Sequence, residues 1–392
     1  MRKRVALVIQ RYGEEVNGGA ELHSRWIAEH LIQAYEIEVL TTRALDYVTW
    51  ANHYRHKDEM INGIRVRRFR VTRRRDPTRF GRIQEYIFQN PHTVKDELRW
   101  LKEEGPCSQA LIRFIRKRKA FYDCFIFFSY RYYTTYYGLL QSPEKSLLVP
   151  TAEADPVVRL QIFKDFFHKP RGILYNSLEE KELIHHHAHN SAVPGEITGV
   201  GINLPEERDA DRFRKKYSID GPFLLYLGRI DENKGCPGLF DYFIRCYTEV
   251  PDAPQMVLIG KATIEIPKHR AIRHLGFVSE RDKFDALEAA EFLLMPSKYE
   301  SLSMVVLEAW ALGKAVLVNG DCQVLKGQVL RSNGGFYYHN YPEFRETQSL
   351  LMTNSNLRNR IGRNGHEYYL KNYSWPVIVE KYHRMIGQVT GE

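Results

Sequence analysis

The most informative segment of the chain reads FLLYLGRIDENKG, residues 223–235. Its first five residues are apolar, which is typical of a strand buried on both faces. The polar turn that follows is flanked by glycines and leads into a helical pattern over 239–247. The segment therefore predicts a βα unit of a parallel sheet, with Arg229 and Lys234 in the loop at the carboxyl end of the strand.

The same alternation of strand and helix patterns extends along the whole chain. We predict further strands at 5–9, 37–40, 125–128, 147–149 and 173–175 in the first half, and at 255–259, 291–295 and 315–318 in the second. A length of 392 residues favours two domains. Residues 194–211 are rich in glycine and polar residues, which is typical of a connection between domains.

Composition limits the class of protein. Hydrophobic residues make up 43% and charged residues 27%, as in globular domains, and a net charge of +9 indicates an anionic partner. The five cysteines form no C-x-x-C pair, which argues against a disulfide framework or a cysteine zinc site. The apolar run at 5–9 is too short for a signal peptide, and no run is long enough to span a bilayer. We expect a cytoplasmic protein whose membrane contact, if any, is peripheral at the inner face.

Two common nucleotide-binding motifs are absent. The first βα turn lacks G-x-G-x-x-G, and G-x-x-x-x-G-K-[ST] occurs nowhere. A simple dehydrogenase and an ordinary ATPase are therefore disfavoured.

Two groups of charged residues carry the predicted chemistry. Arg229 and Lys234 lie beside a helix N-terminus, so they are suited to a diphosphate without a metal; an ordinary basic surface loop is the alternative. Further on, Glu300 follows the strand at 291–295, and Glu308 lies in an apolar helix. A carboxylate there needs partners, which ribose hydroxyls or a lysine or arginine of the fold would supply.

Together these motifs resemble the retaining glycosyltransferases of the family known as glycosyl transferases group 1. The run from Gly228-Arg229 to Lys234-Gly235, and Glu300-x7-Glu308, carry the resemblance, and the loop Asn17-Gly18-Gly19 is similar to the glycine loop of that family's first domain. The resemblance implies the α/β GT-B fold, with two facing Rossmann-like domains, parallel sheets and a C-terminal crossover helix. We therefore expect an acceptor-side domain at 1–204, a nucleotide-sugar domain at 205–371, and a crossover helix at 372–392 that returns to the first domain.

The resemblance also implies residue roles. Arg229 and Lys234 would hold the donor diphosphate, and Glu300 would face the donor sugar. The remaining donor-binding residues would be Gly18, Gly19, Val278, Leu302, Ser303 and Glu308, with Glu308 on the ribose and Val278 near the base. No metal and no cofactor are expected, since the nucleoside diphosphate sugar is a substrate.

One position departs from the family pattern. Relatives often have a histidine near the reacting carbon, in a loop after a first-domain strand, and here Glu153 stands at that place. We count Glu153 among the catalytic residues, as an acceptor of a hydrogen bond from a donor-sugar hydroxyl. Altered sugar choice or weakened catalysis are the alternative consequences.

A basic run lies outside these motifs. Residues 65–75 contain seven arginines, and residues 111–119 form a basic amphipathic pattern. We expect a strand at 64–71 with solvated arginines. Contact of both segments with an anionic membrane or acceptor ranks second, and nucleic acid is disfavoured because no known binding module accompanies the run.

The sequence thus predicts a metal-independent retaining hexosyltransferase. It would move a sugar from a nucleoside diphosphate sugar to a glycan or lipid-linked acceptor, as in polysaccharide biosynthesis. Two alternatives stay open: a nucleotide-sugar epimerase of the same fold, and a non-catalytic protein that binds sugar nucleotides or nucleic acid.

Overall fold

A computed structural model describes residues 2–16, 18–250 and 254–391. The chain divides into two compact units. The first consists of Met1–Val200 together with Trp375–Glu392, and the second is Gly201–Ser374.

The first unit is built on a sheet with the strand order β3-β4-β2-β1-β5-β6-β7-β8. Its strands are β1 Arg4–Val8, β2 Glu36–Thr42, β3 Asp58–Ile61, β4 Ile64–Phe69, β5 Cys124–Phe128, β6 Ser146–Val149, β7 Gly172–Tyr175 and β8 Gly195–Ile197. All neighbouring strands pair in parallel except β3 and β4, which are antiparallel. The cause is the turn Asn62-Gly63, whose two residues have φ of 48° and 77°, the conformation that joins the two strands of a tight hairpin.

The second unit has the sheet order β11-β10-β9-β12-β13-β14. Its strands are β9 Phe223–Leu227, β10 Gln255–Ile259, β11 Ile272–His274, β12 Leu293–Met295, β13 Val316–Asn319 and β14 Gly335–Tyr338, and every pair is parallel. The carboxyl ends of β9 and β12, which are neighbours, therefore lie at the same edge of this sheet.

Helices connect the strands and cover the sheets. They are α1 Gly19–Leu31, α2 Pro77–Gln89, α3 Val94–Glu104, α4 Gln109–Arg118, α5 Tyr133–Leu139, α6 Gln161–Phe166, α7 Leu178–Ala188, α8 Ala210–Tyr217, α9 Cys236–Glu249, α10 Glu280–Ala289, α11 Met304–Ala311, α12 Gln323–Ser332, α13 Tyr341–Thr353, α14 Ser355–Tyr373 and α15 Trp375–Thr390. Over the described residues, none of these helices combines the length and the apolar character needed to cross a bilayer.

Helix α15 packs within the first unit. The Trp375 ring stacks on His30 of α1 with ring centroids 3.5 Å apart, and the Tyr35 hydroxyl lies 2.8 Å from Nδ1 of His383. Tyr382 is fully buried, and its hydroxyl lies 3.4 Å from Nε2 of His23. Burial lowers the pKa of His23 from 6.5 to about 3, so this histidine is neutral in the folded protein.

The basic run at 65–75 differs from the expected solvated face. The strand β4 ends at Phe69, and Arg68 is buried, where it pairs with Glu59 and donates to the carbonyl oxygen of Tyr12. Alternation explains this, because every second residue of a strand faces the opposite side of the sheet.

Candidate active site

The loop 228–235 joins β9 to α9 and carries Arg229 and Lys234. Glycine is required at both ends, since Gly228 and Gly235 have φ of 140° and 72°. A Cβ on Gly235 would also lie 2.1 Å from the carbonyl oxygen of Pro296, so the loop passes directly against the turn after β12.

The two predicted diphosphate ligands have acidic partners. The Arg229 side chain is half exposed, with Nη2 3.4 Å from Oδ2 of Asp231. The other oxygen of Asp231 accepts the backbone N–H of Lys234 at 2.8 Å. The Lys234 ammonium lies 2.6 Å from Oε1 of Glu300, and these two side chains are 25% and 11% exposed. The structure therefore brings three predicted residues together, and Asp231 is an organising residue that the sequence reasoning missed.

The second loop, 296–303, is held by the body of its unit. The N–H of Lys298 donates to the carbonyl oxygen of Asn233 in the first loop at 3.3 Å. The amide of Asn319 donates to Pro296 O, and the buried amide of Gln328 donates to Leu302 O. These contacts hold the two loops in register at the carboxyl ends of β9 and β12.

Leu302 and Ser303 precede the first turn of α11. Ser303 has φ of 67°, and its buried hydroxyl has no hydrogen-bond partner. Within residues 2–16, 18–250 and 254–391, the backbone N–H groups of Leu302 and Ser303 donate to no other group. Free amides at a helix start are suited to phosphate or sugar oxygens, as the predicted roles require.

Glu308 lies in the second turn of α11 and is almost fully buried. Its Oε1 accepts a 2.8 Å hydrogen bond from the Lys283 ammonium of α10, which also pairs with Glu280. The lysine partner considered as an alternative is thus present. Burial raises the pKa of Glu308, and Lys283 opposes that shift. Oε2 of Glu308 is buried and has no partner in the described part of the chain, so one acceptor stays available.

Val278 lies between β11 and α10, two residues before the helix that carries Lys283. Its neighbour Phe277 is 71% exposed. An aromatic ring exposed next to the predicted base position is a second feature that the sequence reasoning missed, although a large apolar residue beside Gly276 was visible in the sequence.

In the first unit, the glycine loop after β1 contains Gly18 and Gly19, and its predicted member Asn17 lies outside the described residues. A Cβ on Gly18 would meet Oε2 of Glu21 at 2.2 Å, because that carboxylate forms a buried ion pair with Arg11 at 2.6 Å. A Cβ on Gly19 would meet no atom of the described residues within 4 Å. Gly18 is thus required by packing, whereas the space beside Gly19 is open.

Glu153 lies in the loop after β6, two strands from β1 in the sheet. The loop is positioned by Thr151, with φ of 52°, and by the buried carboxylate of Glu180. Glu180 accepts the backbone N–H groups of Ala152 and Asn176. Burial raises the pKa of Glu180 to about 8, against the lowering effect of those two hydrogen bonds. Because these strands are parallel, Glu153 and the glycine loop lie at the same edge of the sheet.

A cavity of about 390 Å³ adjoins the two loops of the second unit. Gly235, Pro296 and Lys298 contribute to its wall, together with Asp321 and His339, which pair at 2.8 Å. None of the predicted site residues lines it. The described residues also contain no group of three or more histidine, cysteine, aspartate or glutamate side chains placed to hold a metal ion.

Comparison with known proteins finds a similar family. Residues 207–368 match the family described as glycosyl transferases group 1. The matched segment lies within the second unit. The match contains Arg229, Lys234, Glu300 and Glu308, and it agrees with the resemblance expected from the sequence.

Curated relatives are identical to this chain at about a quarter of the aligned residues. An N,N'-diacetylbacillosaminyl-diphospho-undecaprenol alpha-1,3-N-acetylgalactosaminyltransferase of Campylobacter jejuni is 27% identical over 210 residues, covering 49% of this chain and 54% of that protein. An uncharacterized glycosyltransferase of Methanocaldococcus jannaschii is 25% identical over 225 residues, covering 53% and 54%. The chain thus spans about half the length of these curated relatives.

Solved structures match over the whole chain. Sucrose-phosphate synthase from Thermosynechococcus elongatus has a TM-score of 0.72 at 16% identity, with 100% of both chains covered. Anabaena HepE in complex with UDP and glucose has a TM-score of 0.70 at 14% identity, covering 99% of this chain and 100% of that one. At such identities the likeness shows the fold alone. It confirms the predicted α/β class and the GT-B fold.

Proposed function

We propose that this protein is a retaining glycosyltransferase that moves a hexose from a nucleoside diphosphate sugar to a glycan or lipid-linked acceptor. The observation that carries the proposal is the 2.6 Å contact between Lys234 and Glu300, with Arg229 in the same loop and free amides at Leu302 and Ser303. Cations, amides and a carboxylate are the groups that a diphosphate joined to a sugar requires.

The contact between Lys234 and Glu300 gives the first step a physical basis. An ammonium has three donors, so Lys234 can turn one N–H to a diphosphate oxygen while keeping another on Glu300. The Glu300 carboxylate retains lone pairs for hydroxyls of the donor sugar. In the protein without a donor, each group thus neutralises the other and holds it in place.

Bond cleavage develops negative charge on the oxygen of the departing nucleoside diphosphate. Arg229 and Lys234 stabilise that charge, and fixed cations do so most where water is excluded. These two positive charges neutralise the diphosphate, as a divalent metal ion does in other transferases, so the reaction requires no metal.

The rest of the donor is held by α10 and α11. The free Oε2 of Glu308 accepts the hydroxyls of the ribose, while Lys283 donates to Oε1 and favours the ionised carboxylate against the effect of burial. The exposed ring of Phe277 and the side chain of Val278 contact the base. One oxygen of Glu308 is thus used by the fold and the other by the donor, which explains why a buried carboxylate lies in an apolar helix.

Retention follows if the acceptor attacks the face from which the diphosphate departs. The bond between the anomeric carbon and the diphosphate oxygen breaks, the acceptor oxygen bonds to that carbon, and the acceptor proton passes to the departing phosphate. No protein nucleophile is required. Glu153 accepts a hydrogen bond from a hydroxyl of the donor sugar, at the position where relatives have histidine.

The names of similar proteins support the choice of substrates. The Campylobacter relative acts on a diphospho-undecaprenol acceptor by its name, and HepE was solved with UDP and glucose. We therefore expect a UDP-sugar donor and a lipid-linked glycan acceptor, with the enzyme at the cytoplasmic face of a membrane during polysaccharide biosynthesis.

The test is a panel of UDP-, GDP- and ADP-sugars, each with and without EDTA. We expect one donor to bind and to be hydrolysed slowly without acceptor, with unchanged rates in EDTA and an α product from an α donor by NMR. Lys268→Ala, which removes an exposed lysine of the same unit, is the control for Lys234→Ala. Failure of every donor to bind would contradict the proposal, and a new nucleotide sugar formed without acceptor would identify an epimerase instead.

A further inference from the structure

The first unit contains a basic cavity that is lined by none of the predicted catalytic or donor-binding residues. It has a volume of about 630 Å³, within the range of small-molecule sites. Its wall contains four arginines and a histidine and no aspartate or glutamate: it is formed by Arg43, Asn52, His53, Tyr54, Arg55, Arg70, Val71, Thr72 and Arg74.

The cavity lies at the carboxyl edge of the sheet. Arg43 directly follows β2 and Arg70 directly follows β4, and these strands pair in parallel, with the N–H of Arg43 donating to Phe69 O at 2.9 Å. Strand β1, whose following loop carries Gly18 and Gly19, is the other neighbour of β2. Open α/β sheets bind their ligands at this edge. The cavity is therefore next to the loop that the donor would approach.

The wall is rigid because its two segments are tied together. The Asn52 side chain accepts the N–H of Val71 at 2.8 Å and donates to the carbonyl oxygen of Val71 at 2.9 Å. The N–H groups of His53 and Tyr54 both donate to Arg43 O. A site held in this way loses little conformational entropy when a ligand binds.

The arginines of the cavity differ from the rest of the run 65–75 in their ion pairing. Five of the seven arginines between residues 65 and 75 pair with carboxylates; they are Arg65, Arg67, Arg68, Arg73 and Arg75. The other two, Arg70 and Arg74, form no ion pair with the described residues, and both line the cavity.

The other two arginines of the wall are also without ion pairs in the described ranges. Among the described residues, neither Arg43 nor Arg55 contacts a carboxylate, and Nε of Arg43 is buried without a hydrogen-bond partner. Leaving a buried donor unpaired is costly, so this N–H is suited to an acceptor that enters from the cavity. A carboxylate that does contact the wall is Glu15, which is largely exposed and lies 4.0 Å from Nε2 of His53.

We propose that this cavity binds a phosphate or diphosphate group of the acceptor, an inference that rests on the proposed transferase function. Guanidinium groups bind phosphate oxygens in pairs, and four of them in one rigid cavity favour a dianionic group over a neutral sugar. A nucleic acid or a bilayer would need an extended cationic surface, whereas the other five arginines of the run 65–75 pair with carboxylates.

The test measures binding of inorganic pyrophosphate by calorimetry. The Arg70→Ala/Arg74→Ala double variant removes two cations of the wall, and Arg65→Ala/Arg73→Ala removes two paired cations of the same run. We expect the first to raise the Kd of one pyrophosphate site at least about tenfold, since each charge-assisted hydrogen bond is strong, and the second to change it less than about twofold. All four side chains are exposed or half-exposed, so thermal unfolding should be unchanged in both.

The donor loop supplies a second pyrophosphate site, which separates the two proposals. Lys234→Ala should abolish that site and nucleotide binding but leave the cavity intact. If the protein binds no nucleotide sugar but pyrophosphate still binds in the cavity, the transferase proposal is refuted and the anion site stands. Pyrophosphate binding that is insensitive to Arg70→Ala/Arg74→Ala would overturn the cavity proposal. A second outcome would also overturn it: both double variants weaken retention on phosphatidylglycerol vesicles or RNA equally, and neither specifically affects pyrophosphate binding. Binding would then depend on the overall positive charge of the surface and not on the cavity.

Discussion

Replacing Lys234 with alanine separates the structural and chemical parts of the Lys234–Glu300 ion pair. Unit charges 4 Å apart at an effective dielectric of about 20 attract by about 4 kcal/mol, and desolvation offsets much of that. An exposed ion pair contributes under about 1 kcal/mol to the free energy of unfolding, whereas breaking a buried pair lowers that free energy by about 3–5 kcal/mol. Exposed fractions of 25% and 11% place this pair between these limits. We expect Lys234→Ala to lower the free energy of unfolding by about 2 kcal/mol.

The chemical part should be larger. Losing one preorganised group that stabilises developing charge lowers turnover by about 10²–10³-fold, or about 3–4 kcal/mol. Two assays are needed: urea unfolding for stability, and donor hydrolysis with the nucleotide sugar that the panel identifies. The second variant is Lys234→Ala/Glu300→Gln, in which the unpaired, largely buried carboxylate becomes a neutral amide.

In the double variant, the free energy of unfolding and the turnover should change in different ways. Stability should recover by about 1–2 kcal/mol relative to Lys234→Ala, because Glu300 is no longer a charge without a partner. Turnover should stay low, since both groups that we propose to contact the donor have changed. If the double variant regains turnover together with stability, or if Lys234→Ala keeps turnover within about twofold of Lys268→Ala, the assigned role of Lys234 is refuted.

Three further predictions use other parts of the structure. Glu308→Gln should destabilise the protein by about 3 kcal/mol by breaking a buried ion pair and should weaken nucleotide binding in calorimetry, whereas Glu280→Gln, at an exposed carboxylate, should cost under about 1 kcal/mol. Gly19→Ala should keep the thermal midpoint and lower donor affinity, since its new Cβ meets only open space, while Gly81→Ala within α2 should raise the midpoint and leave affinity unchanged. In the unfolded chain His23 binds a proton below about pH 6.5, whereas in the folded chain it does so only near pH 3. The free energy of unfolding should therefore decrease as the pH is lowered from 6.5 to 3. In urea titrations, His23→Gln should flatten this dependence on pH.

The strands of both sheets could be predicted where they are continuous apolar runs. The segments at 223–227 and 255–259 match β9 and β10 to the residue, because a short apolar run bounded by turn residues is typical of a strand buried on both faces. Strand β4 was expected at 64–71, but its hairpin partner β3 was missed even though Asn62-Gly63 is a strong turn signal. That edge pair is polar, so its apolar pattern is weak.

Within the site, sequence reasoning identified side chains but not their partners. Lys234 and Glu300 are 66 positions apart and meet because β9 and β12 are neighbours, and strand order cannot be read from local patterns. For Glu308, a lysine or arginine partner was anticipated as an alternative, yet only packing of α10 on α11 selects Lys283. Asp231 lies inside the quoted motif, but its bridging position depends on the left-handed turn that ends at Gly235.

The packing of α15 in the first unit has a practical consequence for protein engineering. Lys3 and Thr390 are hydrogen-bonded to each other, so a few added residues would join the two ends of the first unit. A circular permutant that begins near residue 201 would then translate the second unit first and the first unit as one continuous stretch. Expressing the two parts of this permutant separately would test whether each unit folds without the other.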